Sequence, residues 1–293
     1  MQYCADLQLS YYAQGLRTPA LVSNKQKKRK HAWHPQKDAI KPEFIGKISH
    51  RGAKPGAFWL YGFHASRAAL ANPKRVIIKI LATARARQEL AAVLRSDLQI
   101  EPAEPEAISK ILPAGAVHQG IALFCQPLAP PNLEETLEKR PAGQRLVAVL
   151  DQITDPHNEG AILRTAAAFG IDAIIVQTRH APPESGSLAK AASGALDIVP
   201  RIPVVNIARV LEDLGRMNFW RIALAGDAQQ TLAASAREGD IAIVLGAEGA
   251  GVRRLVRETC DISAAIPMRS TMTSLNVSNA AAIALYELRK IKN

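Results

Sequence analysis

Short apolar runs of strand length alternate with stretches of helical periodicity in the second half of the chain. The runs that predict strands are Leu146–Leu150, Ala173–Gln177, Ile222–Ala225, Ile241–Leu245 and Ile262–Ile266. The stretches that predict helices are about Asn158–Phe169, Ile207–Met217, Val252–Thr259 and Leu275–Lys290. Unbroken apolar strands that alternate with helices indicate an α/β domain whose parallel sheet is covered on both faces. Ligands of such sheets bind beyond the carboxyl ends of the strands, so the loops after Leu150, Ala225, Leu245 and Ile266 are the candidate sites.

Residues 57–126 combine shorter elements of both kinds. Strands are predicted at Phe58–Tyr61, Arg75–Leu81, Leu98–Glu101 and Gln119–Gln126. Helices are predicted at His64–Ala71, from a Thr83 cap to about Arg95, and at Pro105–Leu112. This alternation predicts a small α/β/α sandwich that precedes the parallel-sheet domain.

Changes in composition set the boundaries of these two domains. Residues 1–56 lack hydrophobic periodicity and predict a basic, mostly disordered extension. Residues 127–144 hold four prolines and predict a linker with a short helix around Leu133–Lys139. The predicted organisation is therefore an extension at 1–56, a small domain at 57–126, a linker at 127–144 and a larger domain at 145–293.

Positive charge is concentrated in the extension. The chain carries a formal net charge of +11, with 48% hydrophobic and 22% charged residues, a balance typical of globular proteins. Residues 1–54 hold eleven Lys and Arg against three Asp and Glu, a net +8, which leaves +3 for the remainder. A basic arm on a nearly balanced body favours a nucleic-acid partner that is bound through its phosphates. A solvated tail that only aids solubility is the alternative, and charge alone does not separate the two.

Membrane, secreted and metal-binding proteins are poorly matched by the sequence. No apolar run approaches the ~20 residues of a membrane helix, and no secretory signal is recognisable, so we expect a cytoplasmic protein without membrane contact. The three cysteines, Cys4, Cys125 and Cys260, are odd in number and widely spaced, which favours free thiols in a reducing compartment. The pair His31 and His34 has no neighbouring cysteine, so no metal site is predicted there.

The loop after the first strand of the larger domain carries an Asn at a helix start and an Arg six residues later. It reads Asp-Gln-Ile-Thr-Asp-Pro-His-Asn-Glu-Gly from Asp151 and continues to Arg164. It holds no Gly-x-Gly-x-x-Gly, which argues against a nicotinamide enzyme and a Rossmann methyltransferase. Taken alone, Asn158 is best explained as a helix cap and Arg164 as a surface charge.

Two further loops hold a glycine-rich turn and a hydroxyl-rich turn. The first reads Gly-Ala-Glu-Gly-Ala-Gly from Gly246, and its glycines let the backbone approach a ligand closely. The second leads through Ser274 and Asn276 into the last predicted helix. The structural alternatives are a helix N-terminal charge for Glu248 and a buried hydrogen-bonding role in a helix cap for Asn276.

In this order, the three loops resemble the three motifs of the TrmH/SpoU branch of the SPOUT methyltransferases. The runs that carry the resemblance are Asp155-Pro-His-Asn-x-Gly, Leu245-Gly-Ala-Glu-Gly-x-Gly and Ser274-Leu-Asn-Val-Ser, within a match from about Leu146 to Leu288. A weaker match at Leu60-Tyr-Gly-Phe-His-Ala and His118-Gln-Gly-Ile makes the small domain similar to an L30e/L7Ae-like RNA-binding domain. That domain precedes the catalytic domain in the bacterial 23S rRNA guanosine 2′-O-methyltransferases.

The resemblance implies an S-adenosylmethionine-dependent enzyme that methylates a ribose 2′-hydroxyl, that of a guanosine, in 23S rRNA. It also implies a C-terminal trefoil knot in the catalytic domain and a homodimer with active sites at the subunit interface. The implied catalytic residues are Asn158, Arg164, Glu248, Ser274 and Asn276. The implied cofactor-binding residues are Leu224, Ala225, Gly226, Gly246, Ile266, Met268 and Leu275. Because the sulfonium already makes the methyl carbon electrophilic, no metal is expected.

The chemistry of the implied catalytic side chains limits their roles. A guanidinium stays protonated, so Arg164 is expected to bind a phosphate and to favour alkoxide formation electrostatically. Glu248 is expected to orient Arg164 or Asn158, or to accept the proton. Ser274 and Asn276 are expected to hold the ribose and the methyl donor by hydrogen bonds. His64, His118 and His157 are given no catalytic role.

Two residues depart from the family pattern. Ser270 stands where relatives often have Gly, and Glu159 replaces a usual apolar residue and is expected at the rim of the substrate site.

Three other functions remain open. The alternatives are a tRNA ribose methyltransferase, a resistance-type rRNA methyltransferase and a catalytically idle RNA-binding ribosome-assembly factor. The small domain argues against the tRNA type, and the intact motif residues argue against the idle factor.

Overall fold

The computed structural model describes residues 56–142, 145–235, 238–269 and 274–290. Residues 1–55 of the basic extension, with the His31 and His34 pair and Cys4, lie outside the described residues, as does Ser270. Among the described residues, no helix is both long and apolar enough to cross a membrane.

The small domain is a four-stranded sheet with helices on both faces. Its strands are β1 (Phe58–Tyr61), β2 (Ile77–Ala82), β3 (Glu101–Pro102) and β4 (Ile121–Cys125), in the order β1-β4-β2-β3. Its helices are α1 (Phe63–Ala71), α2 (Ala84–Leu90) and α3 (Pro105–Ile111). Strand β4 pairs antiparallel with β1 and β2, whereas β2 pairs parallel with β3. Successive residues of a strand face opposite sides, so Leu60 packs with the α1 and α2 side and Tyr61 packs with Ile108 of α3.

The helix that begins after Thr83 is shorter than predicted. The Thr83 side chain caps it by accepting from Ala86 N at 3.3 Å, as predicted. The helix ends at Leu90 and is followed by a 3-10 turn, so the predicted extension to about Arg95 is wrong. The Arg95 side chain donates to the Asn72 carbonyl at 2.8 Å, which ties the chain after the turn to the loop before β2.

The predicted linker is packed against the larger domain. It contains the short helix α4 (Leu133–Leu137), which Asn132 caps by accepting from Glu135 N at 3.1 Å. Leu137 is fully buried, and Arg140 forms an ion pair with Asp172 at 2.8 Å. The described part of the segment is therefore attached to the larger domain at Leu137 and Arg140 and is not an open tether.

The larger domain is built on a seven-stranded sheet in which every pairing is parallel. Its strands are β5 (Leu146–Asp151), β6 (Ala173–Gln177), β7 (Arg201–Val204), β8 (Phe219–Leu224), β9 (Gln230–Thr231), β10 (Asp240–Gly246) and β11 (Ile262–Ala265). Its helices are α5 (Pro156–Ala168), α6 (Gly186–Ala192), α7 (Ile207–Arg216), α8 (Leu232–Ser235), α9 (Arg254–Glu258) and α10 (Val277–Lys290). The strand order is β7-β6-β5-β10-β8-β11-β9. This confirms the predicted α/β class with a parallel sheet.

Both faces of the parallel sheet are covered. In β5, Ala148 and Leu150 face a cluster that includes residues of α5 and α10, whereas Val147 and Val149 face a cluster that includes α7. All six residues of β5 are buried, which explains why the strand appears in the sequence as an unbroken apolar run.

Four helices and strands of the larger domain were not predicted from the sequence: α6, β7, β9 and α8. Helix α6 consists largely of small residues, and it buries Gly186, Leu188, Ala189 and Ala192 without the long apolar face of an ordinary amphipathic helix. Strand β7 contains Pro203, which argues against a strand in a sequence. The proline is tolerated because β7 lies at the edge of the sheet.

Candidate active site

The first two motif loops leave the sheet side by side. Strand β10 pairs with β5 in a register that places Gly246 opposite Asp151, at the carboxyl ends of both strands. Helix α5 begins at Pro156, and Asp155 caps it by accepting from His157 N at 2.9 Å. The interpretation of Asn158 as the helix cap is therefore wrong. Asn158 lies inside the first turn, where its side chain is free to make a contact outside the helix.

Three side chains from the three motif loops form one hydrogen-bonded cluster. Asn158 Nδ2 donates to Glu248 Oε1 at 3.1 Å. Asn276 Nδ2 donates to Asn158 Oδ1 at 3.0 Å and to Glu248 Oε1 at 2.5 Å. Residues separated by 118 positions of the chain are thereby joined at the carboxyl edge of the sheet. We call Asn158, Glu248 and Asn276 the polar cluster.

Both the oxygen and the nitrogen of the Asn276 side chain form hydrogen bonds with other residues of the protein. Its Oδ1 accepts from Ser278 N at 3.0 Å and from Asn279 N at 3.4 Å, which caps α10, and its amide hydrogens go to Asn158 and Glu248. The residue is exposed, so it is not the buried hydrogen bonder of the structural alternative. This arrangement suits a side chain that positions Asn158 and Glu248 more than one that grips a substrate.

The two carboxylate oxygens of Glu248 have different surroundings. Oε1 accepts from the Asn158 and Asn276 side chains and also from Val277 N at 3.3 Å. Oε2 accepts no hydrogen bond from any described residue, and the side chain is exposed. Because an ionised carboxylate is purely an acceptor, one oxygen of Glu248 can hold the cluster while the other receives a proton.

A cavity of about 200 Å³ opens beside the polar cluster. Its wall includes all seven residues to which the resemblance assigns cofactor contacts: Leu224, Ala225, Gly226, Gly246, Ile266, Met268 and Leu275. Glu248 and Ser274 also line it. The cavity thus gathers the turns after β8, β10 and β11 with the segment before α10.

The backbone of the glycine-rich turn is too close for a side chain at Gly246. A Cβ placed there would lie 2.0 Å from the carbonyl carbon of Gly251, an overlap that no rotamer relieves. Gly246, Gly249 and Gly251 line the cavity with main-chain atoms, alongside the apolar side chains of Leu245, Leu275 and Val277. Main-chain polar groups and apolar walls are what an adenosine with an attached amino acid requires, so the residues fit S-adenosylmethionine.

An ion pair that was not predicted from the sequence ties the first two loops together. Asp151 is fully buried at the end of β5, and it accepts from Arg253 N at 2.9 Å and from Arg253 Nε at 2.8 Å. Arg253 also donates to Gln177 Oε1 at 3.0 Å. An acidic residue directly after an apolar strand was the signal for this contact, but its partner lies 102 residues away.

Arg164 does not join the polar cluster in this chain. It is exposed on α5 and makes no hydrogen bond or ion pair with any described residue. A helix turns by about 100° and rises by about 1.5 Å per residue, so the six residues after Asn158 carry Arg164 around and along the helix, away from Glu248. Ser274 lies on the cavity wall, as described above, and is likewise exposed.

Glu159 is not at the rim of the site, so that expectation is wrong. Its side chain is fully buried, and its carboxylate accepts from Arg201 Nε at 2.5 Å, while Arg201 Nη2 donates to the Pro182 carbonyl at 2.8 Å. Burial raises the pKa of Glu159 above its ordinary value, and the hydrogen bond and charge of Arg201 oppose that rise. The ion pair anchors the first turn of α5 to β7.

Other chemically capable residues are used within the fold. His118 accepts from Gly120 N at 3.1 Å through Nδ1 and contacts Ser109 Oγ at 3.0 Å through Nε2, in the small domain. Cys125 and Cys260 are free thiols, and burial raises the pKa of each to about 12. Within the described ranges, no group of three or more His, Cys, Asp and Glu residues is placed to hold a metal ion.

Similarity to known proteins covers most of the chain. The SpoU rRNA Methylase family matches residues 145–286, and the family described as RNA 2′-O ribose methyltransferase substrate binding matches residues 59–131. A 23S rRNA (guanosine-2′-O-)-methyltransferase, RlmB, of Pseudomonas aeruginosa is 38% identical over 78% of this chain and 94% of its own length. The protein of the same name from Ralstonia nicotianae is 40% identical over 78% of this chain and 93% of its own.

Solved structures support the fold. The SpoU methyltransferase AviRb from Streptomyces viridochromogenes superposes with a TM-score of 0.68, at 20% identity, over 81% of this chain and 90% of AviRb. An rRNA methyltransferase from Sinorhizobium meliloti superposes with a TM-score of 0.66, at 21% identity, over 80% of this chain and 88% of its own. The motif loops, the parallel sheet and the relatives that match over nearly their full length lead to one conclusion: the chain belongs to the SpoU rRNA methylase family.

Proposed function

We propose that this protein uses S-adenosylmethionine to methylate the ribose 2′-hydroxyl of a guanosine in 23S rRNA. The observation that carries the proposal is the polar cluster at the mouth of the cavity, where three motif loops converge. Relatives at 38% and 40% identity are named 23S rRNA guanosine 2′-O-methyltransferases, which supports the substrate.

The cavity walls define how the chain holds its methyl donor. When bound, S-adenosylmethionine supplies an electrophilic methyl group on a sulfonium. The turns at Leu224–Gly226, Gly246 and Ile266–Met268 present main-chain groups toward that ligand, and Leu275 supplies an apolar wall. Fixed positions for donor and acceptor oxygen account for much of the rate acceleration that such a reaction needs.

The polar cluster supplies the proton chemistry. Glu248 Oε2, which no described residue donates to, accepts the proton of the ribose hydroxyl, and Asn158 and Asn276 hold the carboxylate in place through Oε1. Ser274 on the cavity wall orients the ribose. Arg164 binds a phosphate of the RNA and stabilises the developing negative charge.

The proposal includes a homodimer in which Arg164 reaches the polar cluster of the partner subunit. Two features support it. Arg164 is exposed and lies away from the cluster of its own chain. On the adjacent helix α10, Ile283 and Tyr286 are 44% and 55% exposed, an apolar surface that a second subunit would cover.

Three finer features belong to the same proposal. A trefoil knot would place α10 against the turn after β10, and the hydrogen bond from Val277 N to Glu248 is compatible with that path. The small domain would bind RNA as L30e-like domains do, and its match to a substrate-binding family supports this role. The basic extension would add phosphate contacts, and an enzyme that acts on rRNA would work in the cytoplasm.

A map of 2′-O-methylation in a strain that lacks the gene tests the proposed function. The expected result is loss of one guanosine mark in 23S rRNA, with the marks of tRNA intact. Complementation with Asn158→Ala should fail to restore the mark, although the variant folds. Loss of a tRNA mark alone would assign the enzyme to the tRNA type instead. An idle assembly factor would leave every mark in place, and it would show no heat of binding in a calorimetric titration with S-adenosylmethionine.

A further inference from the structure

A buried arginine joins the small domain to the larger domain. Arg75 lies in the loop before β2, and its side chain has no exposed surface. Its Nε donates to Asp197 Oδ1 at 2.8 Å, its Nη2 to Asp197 Oδ2 at 3.1 Å and its Nη1 to Glu184 Oε2 at 2.7 Å. Glu184 precedes α6 and Asp197 follows it, so both carboxylates belong to the larger domain. We call Arg75, Glu184 and Asp197 the Arg75 network.

Neighbouring groups complete the hydrogen bonding of this network. Asn72 Nδ2 donates to Asp197 Oδ1 at 3.0 Å, and Leu128 N donates to Glu184 Oε1 at 3.2 Å. Burial opposes the charge of Arg75, but hydrogen bonds and attraction from Asp197 and Glu184 outweigh it and raise the pKa of Arg75. Arg75 therefore stays protonated although its side chain has no exposed surface.

Apolar packing across the same boundary is tight but not directional. A Cβ at Gly186 would lie 2.4 Å from the Tyr61 ring, and one at Gly194 would lie 3.0 Å from the His64 carbonyl oxygen. Such contacts hold the two domains against each other but do not select one orientation, because the free energy of apolar burial depends on the buried area and not on direction. A bidentate arginine–carboxylate pair requires a particular geometry, so it selects one orientation among those that packing allows.

We propose that the Arg75 network holds the small domain in one fixed orientation on the catalytic domain, which makes Arg75 a positioning residue for the RNA. The proposal rests on the proposed function, in which the small domain binds RNA that reacts at the polar cluster. A fixed small domain presents the bound RNA at a constant distance from Asn158 and Glu248. A freely moving domain would populate that orientation for only part of the time, and the apparent affinity for RNA would fall by that fraction.

The test removes the directed contacts without leaving a buried charge unpaired. The triple variant Arg75→Met/Glu184→Gln/Asp197→Asn neutralises the whole network. All three residues are changed together because removal of one charge alone would leave the remaining buried charges without a partner. The matched control Asp213→Asn/Arg216→Met neutralises an exposed ion pair on α7. If the triple variant does not fold, Asn72→Ala serves in its place, since it removes the amide contact with Asp197 at the cost of only one further hydrogen bond, from the local Lys74 N.

Two measurements are made on the full chain. Hydrogen–deuterium exchange follows the amides of α1 and α6, and steady-state kinetics give kcat and KM for 23S rRNA transcribed in vitro. In the triple variant we expect faster exchange at α6 and, if the competent orientation is populated about a tenth of the time, a KM raised about tenfold. The kcat and the affinity for S-adenosylmethionine should stay at wild-type values, as should every parameter of the control.

Several outcomes would overturn the proposal. Unchanged exchange at α6 in the triple variant would show that the network does not hold the domains together. Faster exchange with an unchanged KM would show that domain orientation does not position the RNA, and a fall in kcat alone would assign the effect to the chemistry. If the wild-type protein fails to methylate the transcript, the proposed function fails, and the exchange result still decides whether the network fixes the domain.

Discussion

Glu248 combines two tasks in one side chain. Its Oε1 accepts three hydrogen bonds, from Asn158, Asn276 and Val277, and its Oε2 accepts none from the described residues. A group held in this way is oriented before substrate arrives, so the free oxygen needs little reorganisation to accept a proton. The two tasks are separable, because an amide can perform the first and not the second.

Glu248→Gln is the substitution that separates them. The glutamine carbonyl can accept the same three hydrogen bonds, but its amide nitrogen cannot take a proton. We expect unchanged folding and unchanged binding of S-adenosylmethionine, with kcat lowered by about 100-fold or more, the typical contribution of a general base. Single-turnover methylation of 23S rRNA measures the rate of the chemical step, and calorimetry measures the affinity for S-adenosylmethionine. Glu258→Gln, on exposed α9, is the control, and wild-type kcat in Glu248→Gln would remove proton transfer from the role of Glu248.

Glu159 makes folding stability depend on pH. Burial raises its pKa in the folded protein, against the opposing effect of Arg201, so the folded state keeps this proton to higher pH than the unfolded chain does. The contribution of Glu159 to the free energy of unfolding is therefore greatest below the unfolded pKa of about 4.3 and is lost as pH rises toward the folded value.

Glu159→Gln should flatten this dependence. Glutamine still offers Arg201 an acceptor but does not ionise, so the loss of stability above about pH 4 should shrink relative to wild type. Urea unfolding at a series of pH values measures the slope, and the exposed Glu258→Gln again serves as the control. An identical slope in wild type and Glu159→Gln would mean that the Arg201 pair keeps the pKa of Glu159 in its ordinary range.

At the scale of elements, the site depends on how two loops are held at the sheet edge. The loop after β5 carries Asn158 and the loop after β10 carries Glu248, and the buried Asp151–Arg253 pair joins the two near their origins. Strand pairing fixes where these loops start, and the ion pair links them close to the sheet, before the hydrogen bond between Asn158 and Glu248 joins them again. We therefore expect Arg253 to affect the chemistry without touching the substrate.

Asp151→Asn/Arg253→Met tests this expectation. The double variant removes the ion pair and leaves no unpaired buried carboxylate. Because a shift of about 1 Å at a reacting group can lower a rate by about 100-fold, we expect kcat to fall up to that extent while the KM for RNA changes little. The adjacent Arg254→Met removes only an exposed helical ion pair and should leave kcat unchanged. Equal kcat values in both variants would show that strand pairing alone holds the loops.

The sequence predicts elements well where their signal is local. Buried β5 and β10 appear as apolar runs, and Thr83 marks a helix start through a contact with Ala86, only three residues away. Helix α6 was not predicted because most of the residues that it buries are small and give no amphipathic pattern. Strand β7 was not predicted because it contains Pro203. The resemblance supplied the polar cluster residues, since no periodicity connects them along the chain.

At the scale of the whole molecule, contacts between residues far apart in the chain could not be predicted from the sequence. Arg75 stands at the start of a predicted strand with nothing to mark it as buried, and its partners lie 109 and 122 residues away. Residues 127–144 have the composition of a linker, yet Leu137 and Arg140 bind the larger domain. Orientation between domains therefore had to come from the structure.

The proposed dimer makes a sharp prediction about where Arg164 acts. In one chain, Arg164 is exposed on α5 and makes no contact with Asn158 or Glu248 among the described residues. If Arg164 serves the partner's site, a subunit carrying Arg164→Ala and a subunit carrying Asn158→Ala complement each other. One of the two sites in the mixed dimer then combines an intact Asn158 with an intact Arg164.

Mixing the two inactive variants tests the exchange of residues between subunits. Random reassembly makes about half of the dimers mixed, each with one complete site, so we expect about a quarter of wild-type methylation. The double variant Asn158→Ala/Arg164→Ala mixed with wild type is the control, since its mixed dimers have no complete site under this arrangement. If the two single variants together stay inactive although light scattering shows dimers, Arg164 acts within its own chain. Its side chain would then have to approach Glu248 only after RNA binds.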